Sequence, residues 1–88
     1  MKLFIYSLKN TLFESEAESL TCETVNGQIT ILNNHEPLIT LLKDGVIKII
    51  DKNKKASYIQ TMGGFLEIRG SNEVRCIIDQ NITSQNEN

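Results

Sequence analysis

One imidazole, a row of three carboxylates and two thiols are the side chains whose chemistry reaches beyond packing: His35, then Glu14, Glu16 and Glu18, then Cys22 and Cys76. Catalysis by a histidine requires a nucleophile and an orienting carboxylate within reach. The sequence has no Gly-x-Ser-x-Gly elbow to supply the nucleophile. His35 instead precedes Glu36 and Pro37, and reads as a loop histidine whose ring hydrogen-bonds to backbone and fixes the kink before the proline. The glutamates alternate, so on a strand they project from one face. Acid–base work would need a cleft that pushes their pKa values apart. A row of like charges at a hairpin reads more simply as a solvated edge that resists stray strand pairing. Cys22 and Cys76 have no Cys-x-x-Cys partner, and no His-rich or Cys-rich cluster suits a metal. They read as small apolar fillers, with a disulfide between neighbouring strands as the alternative. The expectation is no catalytic residue, no metal and no cofactor.

Two further stretches invite a ligand. Gly63-Gly64 has the composition of a phosphate-cradling loop. Such a loop needs a helix start after the glycines, with a Lys or a further Gly. The strand-like Phe65-Leu66-Glu67-Ile68 follows instead, so the pair reads as a bulge or a close backbone approach. Lys52, Lys54 and Lys55 form the one basic run, beside Asp51. It reads as a solvated hairpin tip, with an anionic lipid or an acidic partner as the rival. The net charge is −2 over 88 residues, and no clustered basic face argues for nucleic acid.

The elements that position these residues are short strands. Leu3 and Ile5 alternate with Phe4 and Tyr6, Leu20 shares a face with Cys22, Ile29 with Ile31, and Val74 with Cys76 and Ile78. Turn signals at Asn26-Gly27, Asp44-Gly45, Lys52-Asn53 and Gly70-Ser71 separate these runs. Pro37 cannot donate to a ladder and belongs at a strand start or edge. No window sustains a helical period. The expectation is one all-β domain over residues 1–79, an antiparallel sandwich or barrel of short strands, with a polar tail over residues 80–88. The longest apolar runs fall far below the ~20 residues of a membrane-spanning helix. Met1-Lys2-Leu3-Phe4-Ile5-Tyr6 has too short an apolar part for a signal peptide, so the protein is expected to stay on the side of synthesis.

Residues 27–45 carry the most specific pattern: Gly27-x-Ile-x-Ile-Leu-x-x-His35-x-Pro37-Leu-Ile-Thr40-x-Leu-x-x-Gly45. With Phe13-Glu-Ser-Glu-Ala-Glu-Ser-Leu-Thr before it, then Gly63-Gly64-Phe65-Leu66-Glu67 and residues 74–79 after it, the chain resembles the N-terminal β-sandwich domain of the epsilon subunit of F-type ATP synthase. The resemblance implies a flattened antiparallel β-sandwich of about ten short strands, and a non-catalytic rotor part in the central stalk. Such a part joins the gamma subunit to the membrane c-ring and couples proton-driven rotation to ATP synthesis. It implies a place on the cytoplasmic face of a bacterial inner membrane, peripheral through the complex, with no small-molecule substrate. By resemblance, Gln28 and the loop at His35 face the c-ring, and Ser7 and Thr40 lie towards gamma. The family often has an acid at position 28, so Gln28 removes an ion pair with the ring. Nine residues follow Asp79, too few for a stable helix. The resemblance is therefore to shortened forms without ATP binding or a helical brake. Two partner patches imply exposed apolar residues, with Tyr6, Leu38, Leu42 and Phe65 as candidates. The rival reading is a free-standing β-sandwich adaptor that binds a peptide or protein at a sheet edge. A small hydrolase is the third.

Overall fold

The computed structural model describes residues 1–80, so the tail expected beyond them lies outside the described residues. Alternating Leu3 and Ile5 make β1 (Lys2–Tyr6) a strand with one fully buried face. After a turn at residues 7–10 the chain runs through β2 (Thr11–Thr24), β3 (Gly27–Leu32), β4 (Leu38–Asp51), β5 (Ala56–Arg69) and β6 (Glu73–Ile78). No helix occurs among the described residues.

The fold is all-β and sandwich-like, as expected, but it contains six strands rather than about ten. The reason is that β2, β4 and β5 are each 14 residues long and serve both layers. A strand presents alternate residues to one face, so changing layers requires a switch of parity. In β2 the buried side chain is Ala17 before a register shift at Glu18, and Leu20, Cys22 and Thr24 after it. In β4 Leu42 is buried before Gly45, and Ile47 and Ile49 after it. In β5 the switch falls at Gly63-Gly64: Thr61 is buried on one side, Leu66 and Ile68 on the other.

The pairing follows from those switches. One layer consists of residues 11–16 of β2, then β1, β6, residues 64–69 of β5 and residues 38–42 of β4. β1 and β6 are parallel, and the other pairs antiparallel. The second layer consists of β3, residues 19–24 of β2, residues 46–50 of β4 and residues 56–60 of β5. Leu3, Ile5, Leu66, Val74, Cys76 and Ile78 face inward from the first layer, and Leu20, Cys22, Ile31, Ile47 and Ile49 from the second. The body is flat, 41 × 29 × 20 Å.

Two expected turns differ. Asp44-Gly45 does not close a hairpin: both residues lie within β4, paired as Asp44↔Met62 and Gly45↔Thr61. The hairpin closes later, where Lys52 and Asn53 form the turn and Asp51 N–H donates to Lys55 O at 3.0 Å. Gly45 marks a close approach instead, since Glu23 Cγ lies 3.3 Å from where its Cβ would stand. The β2–β3 turn is centred on Val25 and Asn26, one residue earlier than the Asn-Gly signal suggests. Thr24 causes the offset, because its Oγ1 accepts from Asn26 N–H at 3.0 Å and donates to Gly27 O at 2.7 Å.

The bend in β5 brings two backbones close together. Buried Thr61 Oγ1 donates to Gly63 O at 2.8 Å and accepts from Gly63 N–H at 3.0 Å. Met62 N–H donates to Asp79 O at 2.8 Å, and Asp79 N–H to Gly63 O at 2.9 Å, which fastens the bend to the end of β6. At Gly64 (φ +144°) a Cβ would stand 2.1 Å from Ile77 O and 2.8 Å from Ile78 Cα. The Gly63-Gly64 pair is therefore a close backbone approach, as its sequence context predicts, and no helix follows it. Gly64→Ala is expected to lower unfolding free energy by about 3 kcal/mol or more, because both the positive φ and the backbone collision act against it. Urea denaturation of the purified variant checks this, and a loss under ~1 kcal/mol would contradict it.

Candidate interaction surface

The sequence-predicted site residues do not converge. Ser7 follows the end of β1 and shapes the next turn, its N–H donating to Asn10 O at 2.8 Å. Asn10 N–H donates back to Ser7 Oγ at 3.2 Å. Thr40 pairs with Leu66 in the first layer and is half-buried, on the same inward parity as Leu38 and Leu42. Three strand pairings separate its row from β1: Thr40 to Leu66, Leu66 to Cys76, and Cys76 to Ile5. Gln28 is exposed near the start of β3, opposite Glu23, and its Nε2 donates to Glu23 Oε2 at 2.9 Å. His35 lies beyond the other end of β3. The structure thus places Gln28 and His35 at opposite ends of one strand.

His35 holds the backbone, as its neighbours predict. Its Nδ1 donates to Glu36 O at 2.7 Å, just before Pro37. The loop around it is tied down from across the fold. Asn34 N–H donates to Asn72 Oδ1 at 2.7 Å, and the Met1 ammonium donates to Ala17 O at 2.9 Å and to Asn33 Oδ1. Asn34 and Asn72 both take left-handed backbone (φ 64° and 61°), which asparagine tolerates better than most residues.

The other candidate groups are also absorbed by local structure. Glu14 and Glu16 lie where β2 pairs with β1 alone, so they do occupy a layer edge. Glu18 marks the register shift and accepts from Lys54 Nζ at 2.6 Å. At the basic hairpin tip, Asp51 Oδ1 accepts from Asn53 N–H at 2.8 Å and Lys55 N–H at 3.0 Å. That carboxylate fills the backbone nest an anion would need. Among the described residues, no group of three or more His, Cys, Asp or Glu is arranged to hold a metal.

What the structure adds is an apolar row. Leu41 stands opposite Phe65, Phe65 opposite Ile77, and Ile77 opposite Tyr6. All four have outward parity on the first layer, and Leu41, Phe65 and Ile77 are 47%, 56% and 52% exposed. Tyr6, Ile39, Phe65 and Ile77 line a shallow hollow of about 380 Å³ with Glu67 and Arg75. Of the four apolar candidates named from sequence, Phe65 is exposed and Tyr6 half-buried on this row. Leu38 is half-buried on the inward side, and Leu42 belongs to the core. Leu41, Ile39 and Ile77 were missed because strand parity in β4 and β6 follows from pairing. The alternation of Cys76 and Ile78 inward was the signal that puts Ile77 outward.

The next row carries charge that is neutralised within the sheet. Arg75 Nε donates to Glu73 at 2.7 Å, and Arg69 lies 3.3 Å from Glu67 and 3.8 Å from Glu73. The Arg75 guanidinium also sits 4.8 Å from the centre of the Phe4 ring, within cation–π range. On the second layer one outward row is Thr30, Thr21, Lys48 and Tyr58, and Leu32 and Val46 are exposed on the same side.

The described residues thus form a flat two-layer β body with an apolar row outward on its first layer and the His35 ring engaged by backbone. Residues 1–83 match the family described as the ATP synthase delta/epsilon chain, beta-sandwich domain. The chain belongs to that family. It is 33% identical over 79 residues to the chloroplastic ATP synthase epsilon chain of Medicago sativa, covering 90% of this chain and 57% of that one. With the ATP synthase epsilon chain of Clostridium kluyveri it shares 34% identity over 79 residues, covering 90% and 59%. The chain thus spans somewhat over half the length of these relatives. Its fold is similar to a chain in the mitochondrial ATP synthase of Euglena gracilis, with TM-score 0.84 and 19% identity over 89% of this chain and 49% of that one. It is also similar to a chain in the central stalk and c-ring structure of the Tetrahymena thermophila mitochondrial enzyme (TM-score 0.77, 14% identity, 91% and 63% covered).

Cys22 and Cys76 are free and buried as core fillers. Burial pushes the Cys22 thiol from 9.0 up to about 11, with the Glu23 charge adding to the rise, and burial pushes Cys76 up further. At pH 8 a thiol reagent is expected to label neither in the native protein and both in denaturant, read by intact mass. A thiol whose pKa is raised by folding leaves stability undiminished below its unfolded pKa. Stability should then fall as pH rises from about 9 towards 11. Fast native labelling of either residue at pH 8 would contradict the placement.

Proposed function

We propose that this chain is a non-catalytic rotor subunit of an F-type ATP synthase, the stalk body that links the gamma subunit to the c-ring. In this reading it couples proton-driven rotation to ATP synthesis, peripheral to the cytoplasmic face of a bacterial inner membrane. The match of residues 1–83 to the epsilon-type sandwich family carries the reading. The physics of the body supports it. Torque transmission needs stiffness, and a close-packed two-layer core whose strands cross between layers resists shear. A rotor part also needs two partners at once. Standard interfaces occupy about 800 Å² per partner, and two would take under a third of the 5534 Å² surface. In this reading Gln28 and His35 face the ring, along β3 on the second layer, and Ser7 and Thr40 lie towards gamma. Gln28 meets the ring as an amide hydrogen-bonded to Glu23 rather than as a charge.

Affinity purification of a tagged copy from its own cells tests the reading. Gamma and the membrane-embedded ring are expected in the eluate, identified by mass spectrometry. A chain that stays monomeric and captures only extended peptides at a sheet edge would overturn it.

A further inference from the structure

We infer that the Asn26-Gly27 turn is a site of self-modification, where the Gly27 backbone nitrogen attacks the Asn26 side-chain amide and the asparagine ages to aspartate and isoaspartate. Water is the one co-reactant. A bond forms between Gly27 N and Asn26 Cγ as the Cγ–Nδ2 bond breaks. The amide nitrogen leaves as ammonia, carrying the proton from Gly27 N, and a five-membered cyclic imide remains. Water then hydrolyses one of the two imide C–N bonds. Cleavage at Cγ gives aspartate on an ordinary main chain. Cleavage at the main-chain carbonyl leaves the chain running through Cγ, as isoaspartate. Nothing is oxidised or reduced.

Three features single out this asparagine. Ring closure brings the side chain over the next residue's nitrogen, and a side chain on that residue obstructs it. A Cβ at Gly27 would meet nothing within 4 Å, so the approach is open. Every other asparagine among the described residues precedes a residue that has a side chain. Asn26 and Gly27 are also both exposed, so water reaches the imide. Finally, Gly27 pairs with Thr24 at the last position of the β2–β3 ladder, and β3 is an edge strand. The Gly27 nitrogen must leave the ladder for the ring to close, and ladder ends at loop tips open most readily. Thr24 is the positioning residue that restrains the step. Its Oγ1 accepts from Asn26 N–H at 3.0 Å and donates to Gly27 O at 2.7 Å, so it holds the main chain on both sides of the reacting atoms. Either product places a carboxylate two residues before Gln28, and isoaspartate also lengthens the main chain by one methylene inside the Thr24 clasp.

The test ages the purified, folded chain for days in mildly alkaline buffer, digests it under mildly acidic conditions and weighs each peptide that contains an asparagine. The Asn26 peptide is expected to gain about one dalton before any other. It is also expected to accept a labelled methyl group from S-adenosylmethionine through an isoaspartyl carboxyl methyltransferase. In Asn26→Gln, whose longer side chain would have to close a six-membered ring, both signals should vanish from that peptide. Thr24→Val removes the clasp at nearly constant volume and should at least double the rate at Asn26, with Asn53 at the other hairpin tip unchanged. Equal acceleration at Asn53 would mark a general loosening and overturn the role given to Thr24. An Asn26 peptide that keeps its mass while another asparagine reacts first overturns the inference, and so does a mass gain that persists undiminished in Asn26→Gln.

Discussion

The contact that shapes this molecule is the approach of β5 to the end of β6 at Gly64. There is no room for a Cβ there, because the Ile77 carbonyl would lie 2.1 Å from it. Two neighbouring hydrogen bonds, Met62 to Asp79 and Asp79 to Gly63, hold the approach closed. The bend lets β5 change its buried parity from Thr61 to Leu66 within one ladder. β4 follows it in unbroken register from Leu38↔Ile68 to Ile50↔Ala56. The same two strands therefore build both layers. Shear between the layers would have to break the ladder that joins them, so the flat body moves as a unit.

That economy of strands also determines what is left outside. With Leu66, Cys76 and Ile5 committed inward, their neighbours Phe65, Ile77 and Tyr6 must point outward. An exposed Ile or Phe on its own needs no explanation. Four apolar side chains stand in register across four strands, bordered by charges already paired.

Much of the fold was legible in the sequence. The inward alternation of Leu3 with Ile5, and of Val74 with Cys76 and Ile78, gave β1 and β6 correctly. Lys52-Asn53 and Gly70-Ser71 mark real turns. Asp44-Gly45 did not, because a glycine permits a bend and a hairpin equally, and only the partner strand decides. The strand count ran high for the same reason, since each change of parity reads locally as the end of a strand. The candidate contact residues were less legible. Leu42 and Phe65 look alike in composition, yet one is core and the other surface, and the difference lies in the side on which each falls after a bend. His35 was the exception, since the backbone bond that Pro37 suggested is present.

Native-state hydrogen exchange tests the unity of the body most directly. The amides to follow are those of β4 and β5 on either side of Gly45 and Gly63. If the crossing strands bind both layers into one unit, the slow amides of residues 38–42 and 46–50 share a single opening free energy equal to that of global unfolding. Two separate free energies, with one layer opening while the other stays protected, would contradict it.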